Sequence, residues 1–186
     1  DAHRNRATDL IGCRTFETFE DLLAEGVDAV TVAAPTHLHH ELALACIARK
    51  IHVMVEKPIA STVAEGREIV AAARRPGVTL MVGHVERFNP AVVTIKQAIK
   101  GEEILSIAIT RVGPFPPRMS NVGVVIDLAV HDIDLIRWFT ESEITEVQPQ
   151  LSSAVAERED IALLQFRTAS GVLAHINTNW LTPFQA

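Results

Sequence analysis

Cysteine is scarce: Cys13 and Cys46 are the only two in 186 residues, far apart and in no metal-ligand spacing. That count leaves no disulfide framework, and two ordinary thiols of a reduced, cytoplasmic protein are expected. No run of about 18 apolar residues is present, which excludes a membrane-spanning helix of ordinary length. The opening residues Asp1-Ala2-His3-Arg4 lack the character of a signal peptide. Like charges are never clustered. Arg74-Arg75 is the longest basic run, and 17 basic against 23 acidic residues give a formal net charge of −6. Nucleic acid and anionic membrane surfaces call for a basic patch, so neither is an expected partner. Internal repeats and low-complexity segments are also missing.

What is present is a chain 48% hydrophobic, enough for one substantial core or two small ones. Its first half alternates strand and helix. Thr18-Phe19-Glu20-Asp21 reads as a capping box opening a short helix that stops at Gly26. Ala29 to Ala33 follows as a strand suited to burial on both faces. Helical spacing runs from His37 to Arg49, a second buried strand from Ile51 to Val55, and a helix opened by the capping box Thr62 to Glu65 continues to about Arg75. Thr79 to Val82 is a third strand, closed by Gly83. Strands separated by helices of this length imply right-handed crossovers and a parallel sheet.

The second half has another rhythm. A helix after Pro90, a strand over Ile104–Arg111, the Pro-rich Gly113 to Pro117 and a helix from about Val125 to Phe139 come first. Glu146–Val155, Ile161–Phe166 and Gly171–Asn179 then follow as strands without helices between them, which suggests an antiparallel sheet. The expected organisation is α/β: an incomplete, doubly wound Rossmann-type parallel sheet over residues 1–84, then an α+β domain with a mainly antiparallel sheet over 85–186.

Four stretches carry chemistry. Ala33-Ala34-Pro35-Thr36-His37-Leu38-His39 leaves the first strand at the sheet edge where open α/β folds bind ligands. Thr36 is placed to cap the next helix, and the alternative is a plain strand-to-helix turn. His37, His39 and His40 invite a metal reading, but no Cys or Asp completes a site and no metal is expected. Glu56-Lys57-Pro58 emerges from the second strand at the same edge. There Lys57 suits acid–base chemistry, or else forms a surface salt bridge. Asp127 and His131 are four apart on a predominantly apolar helix, so they share a face. They either line a pocket, where His131 can shuttle a proton, or satisfy one another in the core. Asp132 and Asp134 read as ordinary capping or surface residues. Gly83-His84-Val85-Glu86-Arg87-Phe88-Asn89-Pro90 sits at the change of rhythm, where polar groups often line a cleft.

In this order and spacing, the motifs resemble the glucose–fructose oxidoreductase/inositol dehydrogenase/MocA family of NAD(P)-dependent dehydrogenases. Ala34-Pro35-Thr36 with His39, Glu56-Lys57-Pro58, Gly83 to Pro90, and Asp127 with His131 carry the resemblance. Gly83 to Pro90 and Asp127 to Asp134 are most similar to its UDP-N-acetylglucosamine 3-dehydrogenase-like members. The resemblance implies that Lys57 acts in acid–base catalysis, that His131 takes the proton, and that Asp127 orients it. It implies cofactor contacts from Ala34, Pro35, Thr36, His39, Glu56, Lys57 and Arg87, with Arg87 also near the substrate. Asp1 matches the acidic residue that binds the adenosine ribose and favours NAD, with NADP the alternative. For a UDP-sugar, Arg111 and Arg118 are candidate diphosphate cations, unless they are solvated loop charges.

The expected function is therefore hydride transfer from a sugar hydroxyl carbon, position 3 of a UDP-linked amino sugar, to NAD. The alternatives are oxidation of a free sugar, inositol or polyol, and a non-catalytic nucleotide- or sugar-sensing paralogue. A third, purely structural, possibility is a partner that docks on another chain. The resemblance also implies self-association as a homo-oligomer, dimer or tetramer, through the outer face of the antiparallel sheet. The family's glycine-rich fingerprint would precede Asp1, and part of the substrate domain would follow Ala186. The 186 residues are thus expected to be a piece of a longer protein, inactive by itself.

Overall fold

The computed structural model describes residues 9–10, 12–74, 77–115 and 122–183. The chain divides into two compact units, Asp1–Gly83 and His84–Ala186.

In the first unit, helix α1 (Phe19–Ala24) leads to β1 (Ala29–Val32), α2 (Thr36–Ala48), β2 (His52–Glu56), α3 (Val63–Ala73) and β3 (Leu80–Gly83). Both capping boxes form. The Thr18 and Thr62 hydroxyls accept from the N–H groups of Asp21 and Glu65, whose carboxylates accept from the threonine N–H groups. The three strands pair in parallel in the order β1-β2-β3, with Val32 opposite Val55 and Glu56 opposite Gly83. Val32, Val53 and Val55 are buried with Ala43, Cys46 and Ile47 of α2 and Ile69 of α3. Of the strands expected to be buried on both faces, only the face packed by α2 and α3 is covered within this chain. In β1, Ala29 and Thr31 are exposed while Val32 is buried, and in β2 His52 is exposed. Burial alternates because the core residues gather on the face where α2 and α3 pack. Thr36 does not act as a cap either. Pro35 occupies the cap position without a side-chain hydrogen bond, and Thr36 is the first helical residue.

The second unit opens with a 3₁₀ turn, Val85–Phe88, and α4 (Pro90–Ala98), which the Asn89 side chain caps by accepting from Ala91 N–H. Then come β4 (Ser106–Val112), a π-helical turn (Val125–Ala129) running straight into α5 (Val130–Thr140), β5 (Ile144–Ser152), β6 (Ile161–Thr168) and β7 (Leu173–Asn179). The sheet order is β4-β7-β6-β5. The hairpin-connected strands β5, β6 and β7 are antiparallel neighbours, but β4 pairs with β7 in parallel, so the sheet is mixed. That pairing arises because the chain passes through the helix and two hairpins before β7 returns beside β4. Ala162, Leu164 and Phe166 of β6 and Ala174 and Ile176 of β7 alternate inward onto Ala129 and Ile136. Among the described residues, no helix is long and apolar enough to cross a membrane.

Candidate functional site

At the carboxyl edge of the first unit's sheet, three strands deliver three turns. β1 delivers Ala34-Pro35-Thr36, β2 delivers Glu56-Lys57-Pro58, and β3 delivers Gly83. His39, 1% exposed, braces two of them. Its Nδ1 lies 2.9 Å from the Pro58 carbonyl oxygen and its Nε2 2.8 Å from that of Ala34. A neutral imidazole has one N–H, so the ring donates to one of these carbonyl oxygens while lying against the other. The exposed His37 is not drawn in, and His40 binds Glu68 at 2.9 Å. Among the described residues, no group of three or more His, Cys, Asp or Glu is arranged to hold a metal ion.

The Glu56 carboxylate is fixed locally. Its Oε2 accepts from the Lys57 N–H at 3.3 Å, and it lies so close to Gly83 that a Cβ there would sit 2.9 Å from Oε2. Any larger residue at Gly83 would therefore displace the Glu56 carboxylate, by close approach rather than by an unusual backbone angle. Lys57 itself is half-buried, and the Lys57–Pro58 peptide is cis.

In the second unit, Asp127 lies on the π-helical turn and His131 is the second residue of α5, both half-buried. The helix expected over Val125–Phe139 is therefore not uniformly α. Its winding changes one residue before His131, and π segments of this kind recur at functional sites. Around the pair lies a network that sequence reasoning missed. Asp132 is fully buried and Asp134 is 3% exposed, which corrects their reading as surface or capping residues. Arg111, from β4, reaches Asp132 from Nη2 at 2.8 Å and from Nε at 3.0 Å, and its Nη1 donates to Glu86 at 3.1 Å. Arg87, from the 3₁₀ turn, donates to Asp134 from Nε at 2.8 Å and from Nη2 at 2.6 Å. Arg111 is thus a strand residue with all three guanidinium nitrogens engaged, not a solvated loop charge. Asp1 and Arg118 lie outside the described residues.

Two further groups belong to this network. Burial pushes the Glu86 carboxyl up, but the Asn89 hydrogen bond, Arg111 and the nearby His131 outweigh it and hold Glu86 below the ordinary range. His84 places Nε2 3.6 Å from Asp134, while its buried Nδ1 has no hydrogen-bond partner among the described residues. Burial lowers its pKa, Asp134 opposes this, and Arg87 and Arg137 add to the lowering. A signal for the network was present in the sequence. Two aspartates on a predominantly apolar helix call for cations, and Arg87 and Arg111 were available.

Comparison with known proteins places these features in a family. Residues 1–84 match the family described as oxidoreductase family, NAD-binding Rossmann fold, and residues 103–186 match the GFO/IDH/MocA C-terminal domain. The UDP-N-acetylglucosamine 3-dehydrogenase of Acidithiobacillus ferrooxidans is 30% identical over 179 residues, which cover 95% of this chain and 56% of that protein. A solved structure of that enzyme superposes with a TM-score of 0.91 at 28% identity, covering 100% of this chain and 60% of the other. The inositol 2-dehydrogenase of Rubrobacter xylanophilus is 35% identical over 181 residues, 90% of this chain and 51% of that one. The WlbA dehydrogenase of Bordetella pertussis, solved with NADH and UDP-GlcNAcA, has a TM-score of 0.86 at 26% identity, covering 97% and 57% of the two chains. The chain spans about half the length of the curated relatives it matches.

Proposed function

This chain belongs to the GFO/IDH/MocA family of oxidoreductases, and on that premise we propose that the protein is a cytoplasmic NAD-dependent dehydrogenase oxidising a secondary hydroxyl of a sugar. The observation that carries the reading is the common ending of β1, β2 and β3. Two of the turns they deliver are braced by His39, and the third, Gly83, lies bare against the Glu56 carboxylate. An open parallel sheet receives a dinucleotide at this edge. A Cβ at Gly83 would press on the Glu56 carboxylate, so the bare glycine leaves that carboxylate at the sheet edge as an acceptor suited to a cofactor ribose hydroxyl.

In this reading the Ala34-Pro35-Thr36 turn and Glu56 hold the nicotinamide ribose, with His39 fixing the turn from behind. Asp1 takes the adenosine ribose hydroxyls, which selects NAD over NADP. The bound nicotinamide supplies the hydride acceptor. The Lys57 ammonium donates to the reacting hydroxyl and holds it. A ring nitrogen of His131 accepts the hydroxyl proton as the carbon loses hydride, and Asp127 orients that ring. General-base assistance of this kind contributes roughly 10²–10⁴-fold, with the remainder coming from holding donor and acceptor in register.

The substrate in this proposal is a UDP-linked amino sugar oxidised at position 3, with inositol or another polyol as the alternative. UDP-N-acetylglucosamine and inositol dehydrogenases among the relatives motivate the two choices. Arg111 does not enter as a diphosphate ligand, because Asp132 and Glu86 occupy it, and Arg118 is the cation kept for that role. Self-association as a dimer or tetramer is proposed through the outer face of the second sheet, where Leu163 and Leu173 are exposed.

Screening the full-length protein against UDP-sugars and polyols, following NADH absorbance, tests the substrate class. Silence with all of them would favour a nucleotide- or sugar-sensing protein. Lys57→Ala is expected to abolish turnover while NADH binding is retained, and near-normal turnover in that variant would remove Lys57 from the mechanism.

A further inference from the structure

Helix α5, which carries His131, is held by three cations from three other segments. Arg111 reaches it from β4 through Asp132, and Arg87 from the 3₁₀ turn through Asp134. Lys96 of α4 donates to the Trp138 carbonyl at 2.8 Å and to Glu141 at 2.7 Å, at the helix C-terminus. Arg87 and Lys96 also lie 5.9 and 5.7 Å from the Trp138 ring centroid.

This arrangement is a poor way to gain stability. Burying a carboxylate and a guanidinium together roughly cancels their attraction, and apolar residues of similar volume often serve as well or better. The helix is otherwise apolar on its buried side, with Leu135 and Ile136 beside the two aspartates. What a two-pronged Arg–carboxylate contact supplies is geometry, because the planar fork fixes both distance and orientation. Asp132 follows His131 directly, and Asp134 lies three residues on, on the adjacent helical position. Upstream, the π-helical turn interrupts the regular α ladder up to Ala129, so the rotation of the helix at His131 is set from downstream.

The geometry points to the Arg87–Asp134 and Arg111–Asp132 pairs as positioning residues that set where the His131 ring and the Asp127 carboxylate stand. The catalytic part of this inference rests on the dehydrogenase reading above. Misplacing a reacting group by about 1 Å can cost on the order of 10²-fold in rate, and that is the loss expected when a fastening is removed.

The test uses the full-length protein and the double variant R87M/D134L, which removes both charges while keeping volume, beside the near-isosteric D134N. Melting temperature, kcat, KM for NAD and the NMR resonances of the His131 ring are compared with wild type. The double variant is expected to melt near wild type. Its kcat should fall about 10²-fold, with displaced His131 ring resonances. Wild-type kcat and unmoved His131 resonances in a folded double variant would overturn the proposal. If R87M/D134L does not fold, the same two readouts on D134N decide it. If wild type itself oxidises no sugar, the dehydrogenase reading fails, while the His131 resonances, which need no substrate, still decide whether the pair positions that ring.

Discussion

The contact between Glu56 and Gly83 shows how much one missing side chain can matter. A methyl group at Gly83 would stand 2.9 Å from Glu56 Oε2 and 3.0 Å from Cδ, so the carboxylate must move. Because it is the end of a flexible side chain, the movement costs little folding energy, but it displaces the group proposed to hold the nicotinamide ribose. Gly83→Ala is therefore expected to weaken NADH binding roughly tenfold, about 1.4 kcal/mol, with little change in melting temperature. Fluorescence titration with NADH checks this, and an unchanged Kd would separate Glu56 from the cofactor. The same local logic is what marks parts of the proposed site in the sequence. Lys57, Asp127 and His131 are ionisable groups in apolar surroundings, which is a signal one residue wide. Asp132 and Asp134 carry the same signal, but their partners lie 21 and 47 residues away, where no local pattern reaches.

At the scale of elements, the β5–β6 hairpin depends on one buried carboxylate. Asp160, fully buried, accepts from the N–H groups of Ala154, Val155 and Ala156 at 2.9, 2.6 and 2.9 Å. Burial pushes its carboxyl up, and the donors of Ala156, Ala154 and Val155 outweigh that, so its pKa lies below the ordinary value. A carboxyl depressed in the folded state contributes stability in full above the unfolded value of about 3.9 and loses it as pH falls through the lower folded value. Asp160→Asn keeps one acceptor oxygen and loses the charge, and is expected to cost about 1–3 kcal/mol at neutral pH. Urea unfolding of wild type and variant at pH 7, and again below about pH 3.5, should show the difference shrinking with acid. A difference that stays constant would mean the hairpin does not depend on the ionised form.

For the molecule as a whole, the self-association proposed above turns on the outer face of the second sheet. Leu163, Gln165 and Arg167 of β6 face outward beside Asn177, His175 and Leu173 of β7. Leu163 and Leu173 are 47% and 50% exposed amid polar neighbours. If that face joins copies of the chain, Leu163→Asp with Leu173→Asp places charges in the contact. Light scattering after size exclusion should then report a smaller species, with circular dichroism unchanged. An unaltered mass would move the interface elsewhere.

The sequence by itself determined the elements and their classes. Two capping boxes, β-branched runs between helices, and three strands in succession without helices between them follow from period and local chemistry, which act over a few residues. It also marked the turns Ala34-Pro35-Thr36 and Glu56-Lys57-Pro58 and the pair Asp127 and His131. Only the tertiary structure decided that β4 lies parallel to β7, that the strands of the first sheet bury one face, that His39 turns both ring nitrogens to backbone carbonyls, and that Arg87 and Arg111 serve buried aspartates. The reason is common to all four. Each depends on which distant segment arrives alongside, and a charge or a strand edge takes whatever partner the packing of the core brings within reach.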